Sequence, residues 1–269
     1  KFLIYNKIME VNILQNDWAE SLKTKIYGRN LKLFERIEST NKKMLEDLNS
    51  NNLNNNEKLK EGTVYIALKQ TSGKGSYGNS WASDNDLGLW FSVLLYSPFK
   101  KEILTFLPCI ALTKLLKEKY NIYAHIKWPN DVLVGHKKIS GTLIQITNIN
   151  DKKACIIGTG INLYHNENNF NLEIRNKATS LFLETKIKVD LEEFFKEFIY
   201  YFEEIYLGEK NLIELFKENS EIIGKKIKAK KDGKEIEAFV KDITEEGYLK
   251  VEIDNKEEIW ISRASLDID

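Results

Sequence analysis

Apolar and polar positions alternate along this chain with two different periods, and the switches between them mark out its elements. Leu14, Trp18 and Leu22 recur at helical spacing, which predicts a lead helix over roughly residues 12–25. Leu31, Leu33 and Ile37 alternate with polar residues as a strand does. Ser39-Thr40-Asn41 then offers N-cap side chains to a helix through Met44, Leu45 and Leu48. The Asn-rich stretch from Asn49 to Asn56 reads as a surface loop. Thr63 to Leu68 predicts a strand, and the nearly continuous apolar run Leu89 to Tyr96 predicts a buried one. A helix is expected from about Glu102 to Lys119, with Pro108 tolerable only near its first turn.

The middle of the chain reads as strands. Val132-Leu133-Val134 and Ile139 to Ile146 flank Gly135-His136, a pair suited to a tight hairpin. Ala154 to Ile157 predicts a buried strand that ends in Gly158-Thr159-Gly160. Positions 191, 194, 195, 198, 202 and 205 trace one face of a helix, with Asp190 and Glu193 placed as a capping box. After about Ser220 the pattern changes to short strands around Ile227/Ala229, Ile236/Ala238/Val240, Leu249/Val251/Ile253 and Ile259/Ile261. Asp232-Gly233 and Glu246-Gly247 supply turns, so a small SH3-like barrel is expected there.

Composition narrows the function classes. Forty basic and forty acidic side chains cancel, so no net positive charge drives binding to nucleic acid or to a membrane. No apolar run approaches the ~20 residues of a membrane span. Cys109 and Cys155 are isolated in apolar runs, which fits buried, reduced thiols and a cytoplasmic protein. His125, His136 and His165 have no metal-ligand spacing.

The segment richest in chemistry is Lys127-Trp128-Pro129-Asn130-Asp131, followed by Lys138-Ile139-Ser140-Gly141. It gathers two amines, a carboxamide and a carboxylate around a strand end and a hairpin. Such a set suits a nucleoside triphosphate, with lysines on phosphate oxygens and Asp131 on Mg2+ or an amine. Chemistry alone leaves this reading level with a strand end carrying solvated charges. Gly73-Lys74-Gly75 lets backbone N–H groups approach a ligand beside one cation, but it also fits a flexible linker and is no P-loop. Ser39-Thr40 alone fits a helix cap, and Trp81 and Trp128 alone fit a core.

Taken together, the motifs resemble those of the biotin–protein ligases. Lys127-Trp128-Pro129-Asn130-Asp131 with Lys138 eleven positions after the first lysine looks like the family signature. The loop Ser72 to Trp81 is similar to the family's glycine-rich loop, with Gln70 ahead of it and Gly88 to Ser92 behind. Ser39-Thr40-Asn41 and Gly158-Thr159-Gly160-Ile161-Asn162 match two further motifs. The loop departs from the family pattern at Ser76, where an arginine is usual. A lipoate–protein ligase or octanoyl transferase shares the core that the resemblance implies, and a non-catalytic biotin-binding regulator or interaction module is the alternative of another class.

The resemblance implies an α/β (α+β) fold with a mixed, largely antiparallel sheet flanked by helices, related to class II aminoacyl-tRNA synthetases. The division expected is a lead over residues 1–30, a catalytic domain over 31–220 and an SH3-like domain over 221–269. A lead that short has no room for a winged helix-turn-helix, so the likeness is to the monofunctional ligases, acting as monomer or homodimer. The implied activity is ATP- and Mg2+-dependent formation of biotinyl-adenylate, then transfer to a lysine of a biotin carboxyl carrier protein. Lys138, Asp131 and Lys127 are the implied catalytic residues, with Asp131 also offered to Mg2+. Ser39, Thr40, Asn41, Gln70, Gly73, Lys74, Lys138, Gly141, Gly158 and Gly160 are implied for biotin. Lys74, Gly75, Ser76, Trp81, Lys127, Asn130 and Asn162 are implied for ATP and the adenylate.

Overall fold

The strand period of two sorts the central residues onto two faces of a sheet, and each face has its own core. The computed structural model describes residues 13–14, 17–50, 59–97, 100–149, 152–208, 211–231, 234–253 and 257–261. An eight-stranded sheet runs β1 (Ile13–Leu14), β2 (Leu31–Ile37), β3 (Val64–Gln70), β4 (Gly88–Tyr96), β8 (Lys152–Asn162), β7 (Lys137–Ile149), β6 (Asp131–Val134), β5 (Ala124–Lys127). Its neighbours are antiparallel except β2 and β3, which are joined through α1 (Thr40–Asn49). On β3, Tyr65 and Ala67 pack with Met44 and Leu48 of α1. Val64 and Ile66 join the larger core on the opposite face, with α2 (Lys101–Tyr120) and α4 (Leu191–Leu207). Cys155 and Ile157 of β8 point to this larger core, while Ala154 and Ile156 point to α1.

Two short helices, α3 (Leu181–Thr185) and α5 (Leu212–Glu218), are the other α-helices among the described residues. Beyond residue 220, β9 (Lys226–Lys231), β10 (Lys234–Ile243), β11 (Leu249–Glu252) and β12 (Glu258–Ile261) form a four-stranded antiparallel sheet in the order β12-β11-β10-β9. Trp128 ties the two sheets together. Its ring is buried and its indole N–H donates to the Gly247 carbonyl at 3.1 Å, so it serves the core and not a ligand wall. Gly247 makes the expected turn at φ +86°. Asp232-Gly233 and most of the Asn-rich loop lie outside the described residues. Among the described residues, no helix is long and apolar enough to cross a membrane.

Three expectations are corrected. Pro108 sits inside α2, the eighth of its 20 residues, and the helix continues through it. Burial of Leu104, Leu107, Ala111 and Leu115 on that helix offsets the lost backbone hydrogen bond. The glycines of Gly158-Thr159-Gly160 lie within β8, which runs on to Asn162. The lead segment is not a helix: Ile13–Leu14 form β1 and residues 18–21 form a turn. Trp18 packs on Phe195 at 5.9 Å and Leu22 is buried, so their helical spacing reflects two separate anchors.

Side chains take the backbone groups that a lead helix would have used. The buried Glu203 carboxylate accepts from the amides of Lys25, Ile26 and Tyr27 at 2.5, 2.7 and 2.9 Å. The Arg29 guanidinium donates to the carbonyls of Ala19 and Leu22 at 3.1 and 3.0 Å, and to that of Thr24. Glu203→Ala leaves three donors without their acceptor, so a loss of about 2 kcal/mol is expected. Urea unfolding measures it, with Glu204→Ala on the solvent side of α4 as the reference. Equal midpoints for the two variants would show that the carboxylate does not hold the lead.

Candidate functional site

The cleft opens on the α1 face of the sheet, where side chains are missing from the middle strands. Gly158 and Gly160 of β8 pair with Leu143 and Gly141 of β7, and no Cβ fills the space above them. A Cβ on Gly158 would lie 2.2 Å from Asn41 Oδ1, and one on Gly160 would lie 2.5 Å from Trp81 Nε1. The cleft is open to solvent, and about 470 Å³ of space free of protein atoms, its open mouth included, lies among the residues that line it.

One wall is a buried polar network. The Gln70 carboxamide oxygen accepts from the Thr40 amide at 2.8 Å and from the Thr40 hydroxyl at 3.2 Å. Gln70 Nε2 donates to Ser83 Oγ at 3.1 Å. Ser92 Oγ lies 2.7 Å from Thr40 Oγ1 and donates to Asn41 Oδ1 at 2.5 Å, while Asn41 Nδ2 donates to the Leu143 carbonyl. Ser39 stands at the N-cap of α1, yet its hydroxyl caps nothing and lines the cleft. The Gly88–Ser92 motif implies no role for Ser92, yet a lone hydroxyl inside a buried apolar strand is a signal in itself.

The opposite wall carries charge and an aromatic ring. Lys138 Nζ is 2.7 Å from Asp131 Oδ1 and lies over the Trp81 ring, 5.0 Å from its centroid. The Trp81 indole nitrogen is buried without a hydrogen-bond partner, and the ring packs edge-on to Trp90 at 6.3 Å. Gly141 leaves room for the lysine: a Cβ there would meet Lys138 Cε and Nζ at 2.9 Å. Above them runs the glycine-rich loop, closed by a bridge between Lys74 and Ser80. Asn130 Nδ2 reaches across to Ser76 Oγ at 2.9 Å and to the Thr142 carbonyl at 2.7 Å, so loop and hairpin touch.

Of the residues singled out in the sequence, Ser39, Thr40, Asn41, Gln70, Lys74, Gly75, Ser76, Trp81, Asn130, Lys138, Gly141, Gly158 and Gly160 line this one cleft. Phe91 and Thr159, which stand inside two of the motifs without an implied role, line it too, as do Thr142 and Leu143, which lie in none. Gly73 lies just behind, where a Cβ would be 2.2 Å from Ser83 Oγ. Asp131 enters through Lys138, and Lys127 is its partner across the β5–β6 ladder. Asn162 is buried outside the lining, its Nδ2 bonded to the Thr179 carbonyl at 2.9 Å.

Cys109 and Cys155 are both free and buried. Burial, with Asp131 nearby, pushes the Cys109 thiol up to about 12, so it is no nucleophile. Burial pushes the His165 imidazole down to about 4 and keeps it neutral. Among the described residues, no group of three or more His, Cys, Asp or Glu is placed to hold a metal ion. Asp131 is the carboxylate at the cleft, and it already carries Lys138. That donor set fits Mg2+ arriving with triphosphate oxygens, which needs only one or two protein carboxylates.

Residues 33–162 match the Biotin/lipoate A/B protein ligase family, and residues 222–264 match the Biotin protein ligase C terminal domain. The bifunctional ligase/repressor BirA of Bacillus subtilis is 33% identical over 189 residues, covering 69% of this chain and 56% of that protein. The chain thus spans about half the length of the curated relatives it matches. Biotin protein ligase from Aquifex aeolicus in complex with biotin and ATP is similar in fold, with a TM-score of 0.72, 24% identity and coverage of 90% of this chain and 99% of that one. A mutant of the same enzyme in complex with biotin gives a TM-score of 0.72 at 26% identity, covering 88% and 97%.

Proposed function

Because the chain belongs to the biotin/lipoate A/B protein ligase family, we propose that it activates biotin with ATP and transfers it to a lysine of a biotin carboxyl carrier protein. The observation that carries this reading is the division of one cleft into a neutral polar pocket and a charged wall. Biotin's bicyclic head is small and mostly apolar with one urea edge, and Ser39, Thr40, Asn41 and Gln70 offer that edge a few fixed donors and acceptors. Its carboxylate then points toward Lys138.

A carboxylate cannot acylate an amine at neutral pH, because its leaving group is too poor. In the first step a biotin carboxylate oxygen attacks the α-phosphorus of ATP, pyrophosphate leaves, and a mixed anhydride remains. The Lys138 ammonium sits between the two anionic reactants and offsets the charge their approach concentrates. Lys74 and Lys127 face the phosphates, Trp81 forms a wall for the adenylate, and Asn130 with Gly75 and Ser76 holds the loop over it. In the second step the neutral amine of the acceptor lysine attacks the carbonyl carbon and AMP leaves. Asp131 takes the amine's proton, since its carboxylate is the base beside the reacting centre. Mg2+ supplies charge neutralisation on the phosphates when it arrives with ATP.

In this reading residues 31–220 are the catalytic domain, 221–269 the C-terminal domain, and the enzyme is cytoplasmic. The expected result is biotin-dependent exchange of labelled pyrophosphate into ATP by the purified chain. Exchange driven by lipoate or octanoate and not by biotin would place the substrate on the lipoate side of the family. No exchange with any of the three acids would remove the ligase assignment.

A further inference from the structure

Lys138 lies where the sheet runs out. The β7–β8 ladder ends at the pair Ser140–Ile161, so beyond it the backbone of Lys138 has no neighbouring strand on that side. A later part of the chain fills the gap. The Lys138 amide donates to the Lys177 carbonyl at 2.7 Å, and the Thr179 amide donates to the Lys138 carbonyl at 2.9 Å. These bonds form a parallel bridge centred on Lys138 and Ala178. On its other side Lys138 faces Leu133, next to a register shift between Val132 and Leu133. That irregular pairing leaves residues 177–179 as the firmer support.

Buried side chains hold those residues. Asn162, the last residue of β8, donates Nδ2 to the Thr179 carbonyl at 2.9 Å. The Thr179 hydroxyl donates to the Glu184 carboxylate. The Ser180 hydroxyl donates to the His165 carbonyl at 2.6 Å and accepts the Leu183 amide at 3.1 Å. Thr179 and Ser180 are 1% and 0% exposed, and neither lines the cleft. Hydroxyls so completely buried are retained at a desolvation cost, and each here is spent on fixing one short segment. His165 is itself held flat on Phe170 at 4.8 Å, which stiffens the far end of the segment.

We infer that Asn162, Thr179 and Ser180 are positioning residues for the reaction: they fix residues 177–179, which set the backbone of Lys138 and so the place its ammonium reaches between Asp131 and Trp81. A lysine side chain is long and flexible, so its tip is placed only as well as its Cα is. A misplacement of about 1 Å costs up to ~10²-fold in rate. The inference rests on the role given to Lys138 above. It also gives Asn162 a task distinct from the nucleotide contact that its motif implies.

The test uses the full chain with Asn162→Asp, Thr179→Val and Ser180→Ala. Biotin-dependent pyrophosphate exchange gives kcat and KM, and site-resolved hydrogen exchange gives the protection of the Lys138 amide. Each variant is expected to lose about tenfold in kcat, to leave KM for ATP nearly unchanged, and to expose the Lys138 amide. In a Lys138→Ala background the same changes should cost nothing further, because the group they position is gone. A raised KM for ATP at unchanged kcat in Asn162→Asp would make that residue a nucleotide contact and overturn the inference for it. Additive losses in the Lys138→Ala background would overturn it for all three, as would unaltered kcat. Valine keeps the buried volume of Thr179, so that variant decides if Ser180→Ala fails to fold. Failure of the wild-type chain to exchange would sink the ligase reading, while Lys138 amide protection would still report on the clamp.

Discussion

Replacing Lys138 with alanine is expected to slow adenylation by 10²-fold or more. The ammonium sits 2.7 Å from Asp131 and over the Trp81 ring, which together restrict where it can go. In the ground state of the proposed reaction it meets a carboxylate and a phosphate that remain apart. In the transition state their charges are forced together, and the fixed cation is worth most at that moment. Removing one preorganised partner of developing negative charge costs roughly 10²–10³ in rate. Lys138→Ala has a second consequence, since Asp131 loses its counter-ion at the cleft. The loss should therefore fall mainly on kcat for pyrophosphate exchange, with a smaller rise in KM for biotin. Lys117→Ala, on the exposed side of α2, is the reference and should match the parent chain. Lys138→Arg restores charge but offers a planar fork where a point charge fits against Gly141, so it should recover only part of the rate. Exchange by Lys138→Ala at the parent rate would take this lysine out of the mechanism.

What could be read ahead of the fold depended on whether the signal was local. The helix α4 was legible because positions 191, 194, 195, 198, 202 and 205 repeat with one period, and Phe194, Phe195, Phe198 and Phe202 are buried along it. Half of its capping box forms: Asp190 accepts from the Glu193 amide at 3.0 Å, while the Glu193 carboxylate turns to Lys196. The charged strands after residue 220 were legible for the same reason, since one face of each is buried and the other wet. The lead forms no helix because Phe195 holds Trp18, Arg29 holds the Leu22 carbonyl, and Glu203, far along the chain, takes the amides of residues 25–27. Spacing carries no information about such a partner.

The same limit applies to the site. Motifs named the residues that line the cleft, but not their order of contact. Nothing in Asn162 announces that its amide is bonded to Thr179, because residues 163–178 intervene. Leu143 joins the lining of the pocket, and Ser92 the network behind it, only through the β4–β8–β7 register. Taken alone, Gly158-Thr159-Gly160 reads as a strand end, because glycine weakens a strand in general. The two glycines lie inside β8 because the Asn41 side chain packs on Gly158 and the Trp81 ring on Gly160, leaving no room for a Cβ at either position.

Gly158→Ala should therefore damage binding far more than one methyl group normally would. The new Cβ would stand 2.2 Å from Asn41 Oδ1 and 2.8 Å from both Cγ and Nδ2. Asn41 cannot step aside cheaply. Its Oδ1 holds the Ser92 hydroxyl at 2.5 Å, its Nδ2 holds the Leu143 carbonyl at 3.2 Å, and the residue is buried. Moving it leaves buried polar groups unpaired, at about 1–3 kcal/mol each. Thr40 and Gln70 belong to the same network, so the wall offered to biotin's urea edge is lost along with the space. Biotin affinity is expected to fall by about 10²-fold, or ~3 kcal/mol, as read by titration calorimetry without ATP. Alanine suits a strand better than glycine does, so β8 should stay in its ladder and the chain should stay folded. Gly135→Ala is the informative reference: nothing lies within 4 Å of its Cβ, and its φ of +57° confines the strain to the hairpin turn. That variant should bind biotin as the parent does. If Gly158→Ala binds within twofold of the parent, the ligand does not lie on the floor made by Gly158, and the pocket must be sought elsewhere in the cleft.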